Sequence, residues 1–301
     1  MRRLFTRSLA ALALTAATFV AAQQSPATLS MTEVNPTSVG FSSAGISRLH
    51  SLMEDAVKNH QVAGVVTILA RHGKVVDYRT YGWQNIENKV PMSKATIFRD
   101  YSMTKVVTGV AMMKLYEEGK WLPSDPISKF IPEFAHLKVY AGTDASGKII
   151  LEDPIHPPTM AELMTHTAGF TYGIFGNTPV DKMVRDANLF QSHDLHEFVT
   201  KLSTRPLLYQ PGTKWVYSVS MDIQGYIIEK LSGKTLPEFY RDEIYQPLGM
   251  KDAGFYVPEN KWSRFATVYH VQPDGSLSAQ GAENVNRRDF AHQPTLPSGG
   301  G

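Results

Sequence analysis

A hydroxyl and an amine stand three residues apart in Ser102-Met103-Thr104-Lys105. Residues at that spacing share one face of a helix, so the Lys105 amine can reach the Ser102 hydroxyl. Serine is a weak nucleophile until a partner takes its proton, and a partly desolvated lysine does this near neutral pH. The start of a helix also favours negative charge, which suits the oxyanion that builds on an attacked carbonyl. The chemistry this spacing predicts is acyl transfer through a covalent serine intermediate. An S-x-x-K spacing arises by chance about once in a chain of this composition, so its weight depends on the residues around it.

The elements that must hold these groups can be read from periodicity and punctuation. Ser43 to His60 carries apolar residues at Ile46, Leu49, Leu52, Met53 and Val57, a helical period. Val65 to Ala70 and Val75 to Tyr81 are β-rich runs joined by Arg71-His72-Gly73-Lys74, which predicts a hairpin turning at Gly73. A helix then starts at Ser102, with Val106, Val110 and Met113 as its expected buried stripe and Gly119 as its stop. Six prolines between 120 and 160 predict loops and short helices there. Thr159-Met160-Ala161-Glu162 and Thr235-Leu236-Pro237-Glu238 are capping boxes, each opening a helix. Helical spacing recurs over 180–203, at Val180, Met183, Leu189, Leu195, Phe198 and Leu202, and over Asp222 to Leu231, which Gly233 closes. An irregular tail is expected after that. Helix, hairpin and then many helices suggest an α/β core with a mostly helical insertion over about 120–215.

The first 22 residues read as a secretory leader. Arg2, Arg3 and Arg7 precede a short apolar run from Ser8 to Val20, and Val20-Ala21-Ala22 fits a cleavage site. The run is too short to span a bilayer. Arg2-Arg3 is compatible with twin-arginine export, although paired arginines occur in many leaders. The expected location is therefore secreted or periplasmic, with a flexible, polar segment over 23–42 leading into a catalytic domain over 43–301. Without the leader, Lys+Arg falls from 30 to 27 against 28 Asp+Glu, so nothing calls for nucleic acid or stable membrane association. With no cysteine, disulfides and thiol chemistry are excluded. His193 and His196 flank Asp194 and Glu197, but two histidines three apart without a third ligand read as a solvated helix face, so no metal or cofactor is expected. Gly40-Phe41-Ser42-Ser43-Ala44 fails as a nucleophile elbow, because its last residue is Ala and no strand precedes it.

Four further stretches accompany Ser102: Leu163 to Phe170 (LMTHTAGF), Pro211 to Ser218 (PGTKWVYS), Pro247-Leu248-Gly249-Met250, and the terminal Pro297-Ser298-Gly299-Gly300-Gly301. In this order the chain resembles the β-lactamase-related serine hydrolases, which include class C β-lactamases, D-alanyl-D-alanine peptidases and family VIII-type carboxylesterases. The resemblance runs from about Ser43 to the last residue. It implies a β-lactamase/transpeptidase-like α/β (α+β) fold, an antiparallel sheet flanked by helices with a helical subdomain. It also implies roles: Ser102 as nucleophile, Lys105 as general base or proton shuttle, and Tyr217 sharing the proton traffic and later activating water. The Ser102 backbone N–H would form half of the oxyanion hole. A phenol can act in this way only where neighbouring cations favour its phenolate. Tyr172 and Trp215 are candidate pocket walls. His166 could be a base, but in relatives the matching histidine lies in a structural loop.

The chain departs from the family pattern in two places. Val219 stands where β-lactamases carry the amide of a Tyr-x-Asn element, and valine cannot bond the amide of a lactam or peptide. On that ground Val219 is read as a substrate-side residue favouring esters. The family's third element, Lys-Thr-Gly, His-Thr-Gly or Trp-Gly-Gly, is not found: Gly233-Lys234-Thr235 has the wrong order, and His166-Thr167-Ala168-Gly169 has one residue too many. In relatives several strands and a helix follow the glycine run, so the chain is expected to be C-terminally truncated. Loss of one oxyanion donor costs about 3–4 kcal/mol, so this chain alone is expected to be poorly stable and nearly inactive. The function expected of its parent is a secreted carboxylesterase acting on short acyl esters, with a small ester or amide as partner. The alternatives are a β-lactamase or D-alanyl-D-alanine carboxypeptidase, and a non-catalytic ligand-binding relic.

Overall fold

The computed structural model describes residues 30–280, 290 and 292–300; the expected leader over 1–22 lies outside them. Helix α1 spans Ser43–Lys58, and the Ser42 hydroxyl caps it by accepting from the Gly45 N–H at 3.0 Å. It packs on a hairpin of β1 (Gly64–Arg71) and β2 (Lys74–Asn85). The two-residue connection, His72 and Gly73, takes φ of 51° and 71°, the left-handed pair that matches the twist of a tight hairpin. A short β3 (Val90–Pro91) completes an antiparallel sheet in the order β1-β2-β3. The segment expected to be flexible over 23–42 is held down where it is described. Val34 N–H donates to the Val75 carbonyl, Glu33 pairs with Arg79 at 2.9 Å, and Asn35 caps a 3-10 turn over Pro36–Val39.

The larger part of the core is helical. It is built from α2 (Thr104–Glu117), α3 (Met160–Met164), α4 (Pro179–Asp186), α5 (Leu195–Ser203), α6 (Ser220–Ser232) and α7 (Leu236–Tyr240). Helix α6 is the hub. It packs against α2, α3, α5 and α7, and Ile223, Ile227 and Ile228 are fully buried. Gly233 ends it at φ 71°, as its position after the last apolar residue requires. Both capping boxes read from the sequence form, at Thr159 and Thr235, and a third, unread, forms between Thr178 and Asp181.

Three sequence expectations need correction. Helix α2 turns the other way: Val106 and Val110 are at least half exposed, Met113 nearly so, and the stripe in the core is Thr108, Ala111, Met112 and Leu115. The helix is apolar all round, so periodicity could not choose a face; its packing against α6 does. Within the insertion, the region expected to hold only loops and short helices also forms a hairpin of β4 (Val139–Thr143) and β5 (Ile149–Glu152). Its turn is organised by the Asp144 carboxylate, which accepts from Ser146 and Lys148 N–H. The tail expected to be irregular carries β6 (Tyr269–Val271) and β7 (Leu277–Ala279), tied to β2 where Thr267 N–H donates to the Gln84 carbonyl. No helix among the described residues is long and apolar enough to cross a membrane.

Candidate active site

Ser102 lies in a 3-10 turn, Tyr101–Met103, immediately before α2. Tyr101, the residue before it, has φ 46°. A bulky residue rarely takes this left-handed conformation, and such strain clusters at functional sites. The turn leaves Ser102 exposed, while Lys105, one turn on, is half-buried. Lys105 Nζ donates to Ser102 Oγ at 3.0 Å. Tyr217, in the loop before α6, donates from its hydroxyl to the same Oγ at 2.8 Å. Two groups three residues apart and a third 115 residues from the first thus meet at one oxygen.

Their electrostatics are uneven. Burial works to raise the Tyr217 phenol, but the Lys105 ammonium and the Ser102 hydroxyl outweigh it, and the net effect holds the phenol below its ordinary value. The Lys105 Nζ lies 4.8 Å from the centre of the Tyr217 ring and 5.4 Å from that of Tyr172. The Tyr172 phenol is pushed the other way, first by burial and then by the charge of Asp222, so it stays protonated. Of two phenols beside one ammonium, only Tyr217 is held below its ordinary value.

His166 is buried and held at φ 58°. Its Nδ1 accepts from the Ser218 N–H at 3.3 Å and its ring lies 5.4 Å from that of Tyr217. Burial first, and then Lys105, lowers its pKa, so the ring is a neutral brace for the Tyr217 loop. His196 is engaged with the Tyr226 hydroxyl at 2.9 Å.

Two of the three residues read as substrate-side do flank the site. Tyr172 and Trp215 stand 5.3 and 6.3 Å, centre to centre, from the Tyr217 ring. Val219 does not: it is fully buried in the helical core at the start of α6. Helix entry turns its side chain inward two residues after Tyr217, so it offers substrate no surface.

Sequence reasoning missed Asp222, Ser298 and Gly300. Asp222 is fully buried on α6, and burial raises its carboxyl; its Oδ1 accepts from Ser298 Oγ at 2.5 Å and from Gly300 N–H at 3.3 Å. The Gly300 carbonyl in turn accepts from Lys105 Nζ at 2.5 Å, and Gly299 O from Thr108 Oγ1 at 2.6 Å. The glycine run was legible as a motif, but its seat against Lys105 was not. An Asp in the first turn of an apolar helix gave the only signal for Asp222, and it reads equally well as a partner of the helix dipole.

The fold and the meeting of Ser102, Lys105 and Tyr217 define a β-lactamase-like serine centre, and residues 49–301 match the Beta-lactamase family. The chain belongs to that family. It is 30% identical over 272 residues to Esterase EstB of Burkholderia gladioli, an alignment covering 89% of this chain and 64% of that protein. It is 33% identical over 220 residues to Protein Rv1367c of Mycobacterium tuberculosis, covering 72% of this chain and 53% of the relative. Among solved structures it superposes on EstCE1, described as a hydrolase with promiscuous acyltransferase activity, with a TM-score of 0.70 at 26% identity. That match covers 85% of this chain and 67% of the other. The chain thus spans between about half and two thirds of the length of these proteins.

Proposed function

We propose that the protein is an exported serine hydrolase that cleaves small carboxylic esters through an acyl-enzyme. The observation that carries this reading is the convergence of Lys105 Nζ and Tyr217 OH on Ser102 Oγ, at 3.0 and 2.8 Å. The Tyr217 phenolate, favoured by the Lys105 ammonium, takes the Ser102 proton as Oγ forms its bond to the substrate carbonyl carbon. The carbonyl oxygen takes the negative charge and faces the Ser102 backbone N–H. Collapse of the tetrahedral adduct breaks the bond to the leaving oxygen, which receives its proton from Tyr217. Water, deprotonated by the same phenolate, then attacks the acyl carbon; collapse of this second adduct breaks the bond to Ser102 Oγ, which takes its proton back from Tyr217 as the acid leaves. Tyr217 therefore ends each half-reaction in the state in which it began.

One observation supports an ester over a lactam or peptide: the relative named as an esterase aligns over 89% of the chain. Export rests on the leader read over residues 1–22, and fractionation of the producing cell checks it: uncleaved protein in the cytoplasm would overturn that part.

A fluorophosphonate probe applied to the full-length protein tests the chemistry. Labelling should be lost in Ser102→Ala and slowed at least 100-fold in Lys105→Ala. Equal labelling of the parent and Ser102→Ala would refute the assignment. Slow-releasing capture of a labelled penicillin at Ser102, without ester turnover, would transfer the reading to the penicillin-recognising branch. An unlabelled parent would mark a binding protein.

A further inference from the structure

The loop between Thr171 and Thr178 is held firmly yet points apolar side chains into solvent. Asp181, almost fully buried, accepts from Thr171 Oγ1 at 2.7 Å, from Thr178 N–H at 2.9 Å and from Thr178 Oγ1 at 2.8 Å. The Arg185 guanidinium donates to the carbonyls of Gly173 and Gly176. Those glycines are obligatory: a Cβ at Gly173, which has φ 77°, would stand 2.7 Å from the Asp181 carbonyl, and one at Gly176 2.4 Å from its carboxylate. A buried carboxylate and a guanidinium thus fix a loop whose tip leaves Ile174 65% and Phe175 70% exposed. Isolated surface hydrophobics need no explanation, but Phe175 is linked through the rings of Tyr217 and Tyr172 to Trp215, 66% exposed, and Phe190, 50% exposed.

The patch adjoins the nucleophile. The Phe175 ring lies 5.7 Å from that of Tyr217, whose hydroxyl touches Ser102 Oγ, and 5.9 Å, edge on, from Tyr172. Phe190 stacks on Tyr172 at 6.2 Å, and Trp215 stacks on Tyr217 at 6.3 Å. Tyr217 is therefore flanked by exposed aromatic faces.

We propose that Phe175 and Trp215 form a rigid wall that selects esters carrying a bulky, flat apolar group, an aryl or fused-ring moiety, over the short linear acyl esters expected from the sequence. The proposal rests on Ser102 being the nucleophile of the same site. Pre-fixed aromatic surface gains affinity because little freedom is lost when it is covered. An aryl substrate face would stack or meet edge-on with Phe175 and Trp215 as these rings already do with Tyr172 and Tyr217.

The test compares matched esters on the full-length protein. p-Nitrophenyl 3-phenylpropanoate against p-nitrophenyl propanoate places the aryl group on the acyl side, and 2-naphthyl against phenyl propanoate places it on the alcohol side. The aryl member of at least one pair should have a kcat/KM at least tenfold higher, and Phe175→Ala should reduce that ratio about tenfold, a change of about 1.4 kcal/mol. In Ser102→Ala, which cannot turn over, Phe175→Ala should weaken binding of the favoured ester by a similar factor in calorimetry. Phe175 is largely exposed, so its truncation leaves the core untouched. Ratios near one in both pairs, or ratios that Phe175→Ala moves less than twofold, would overturn the wall. The two readings fail separately. A parent that the fluorophosphonate does not label refutes the catalytic assignment, whereas a labelled parent without aryl preference refutes the wall alone.

Discussion

Replacing Tyr217 by phenylalanine removes one oxygen from the site and nothing else. The ring keeps its neighbours, with His166, Tyr172, Phe175 and Trp215 between 5.3 and 6.3 Å from its centre. The lost hydroxyl bonds to Ser102 Oγ and is also engaged by Lys105; a bond of this kind is worth about 1 kcal/mol to stability. In a chain of this length that lowers Tm by roughly 2–4 °C. The catalytic loss should be far larger. A positioned proton acceptor contributes about 10²–10⁴ in rate, or about 2.7–5.4 kcal/mol of transition-state stabilisation. The assay is kcat/KM for p-nitrophenyl propanoate against pH, beside the rate of fluorophosphonate labelling. The parent should show an activity that rises with pH through a value below the roughly 10 of a free phenol, because Lys105 holds the Tyr217 pKa down and the proposed active form is the phenolate. The Phe variant should lose at least 100-fold in both assays, and its residual rate should lack that ascending limb. A variant within threefold of the parent, or one that keeps the same limb, would remove Tyr217 from the proton path.

Three further outcomes follow from the same structure. Lys105→Met deletes the cation that lowers the Tyr217 phenol, so the ascending limb of any residual activity should move to higher pH; a limb that stays put would show that Lys105 does not tune the phenol. Asp181 is held below its ordinary pKa: burial opposes this, but its bonds from Thr171 and Thr178 outweigh burial. The stability it lends is thus present above the unfolded value of about 3.9 and lost as pH falls through the folded one; urea midpoints of Asp181→Asn should lack that acid-side decline. Phe198→Ala, at a fully buried position on α5, should cost about 3–5 kcal/mol in urea unfolding, and a loss under 1 kcal/mol would contradict the packed core described.

The reach of the sequence can be judged at particular residues. Local signals held wherever chemistry is local. The hairpin turn at His72-Gly73, the boxes at Thr159 and Thr235, the Gly233 stop and the three-residue spacing of Ser102 and Lys105 all depend on neighbours along the chain. The fold class followed from their order. The face of α2 did not follow, because a helix with valines and methionines on every side carries no preferred direction until α6 packs against it. Val219 misled for a related reason: its position in the motif suggested substrate, while entry into α6 turned it into the core.

What the amino-acid order determined by itself was the family and the fold class, together with the candidate groups for its chemistry. A hydroxyl, an amine and a phenol in a recognisable order carry that information without folding. Tertiary structure decided which of them share an atom, which of the Tyr172 and Tyr217 phenols is tuned downward, and which apolar residues remain in water beside them. These properties depend on distance and burial between segments far apart in the chain. Ser102 meets Tyr217, Lys105 meets Gly300, and Tyr172 meets Asp222 only because helical packing brings those segments together.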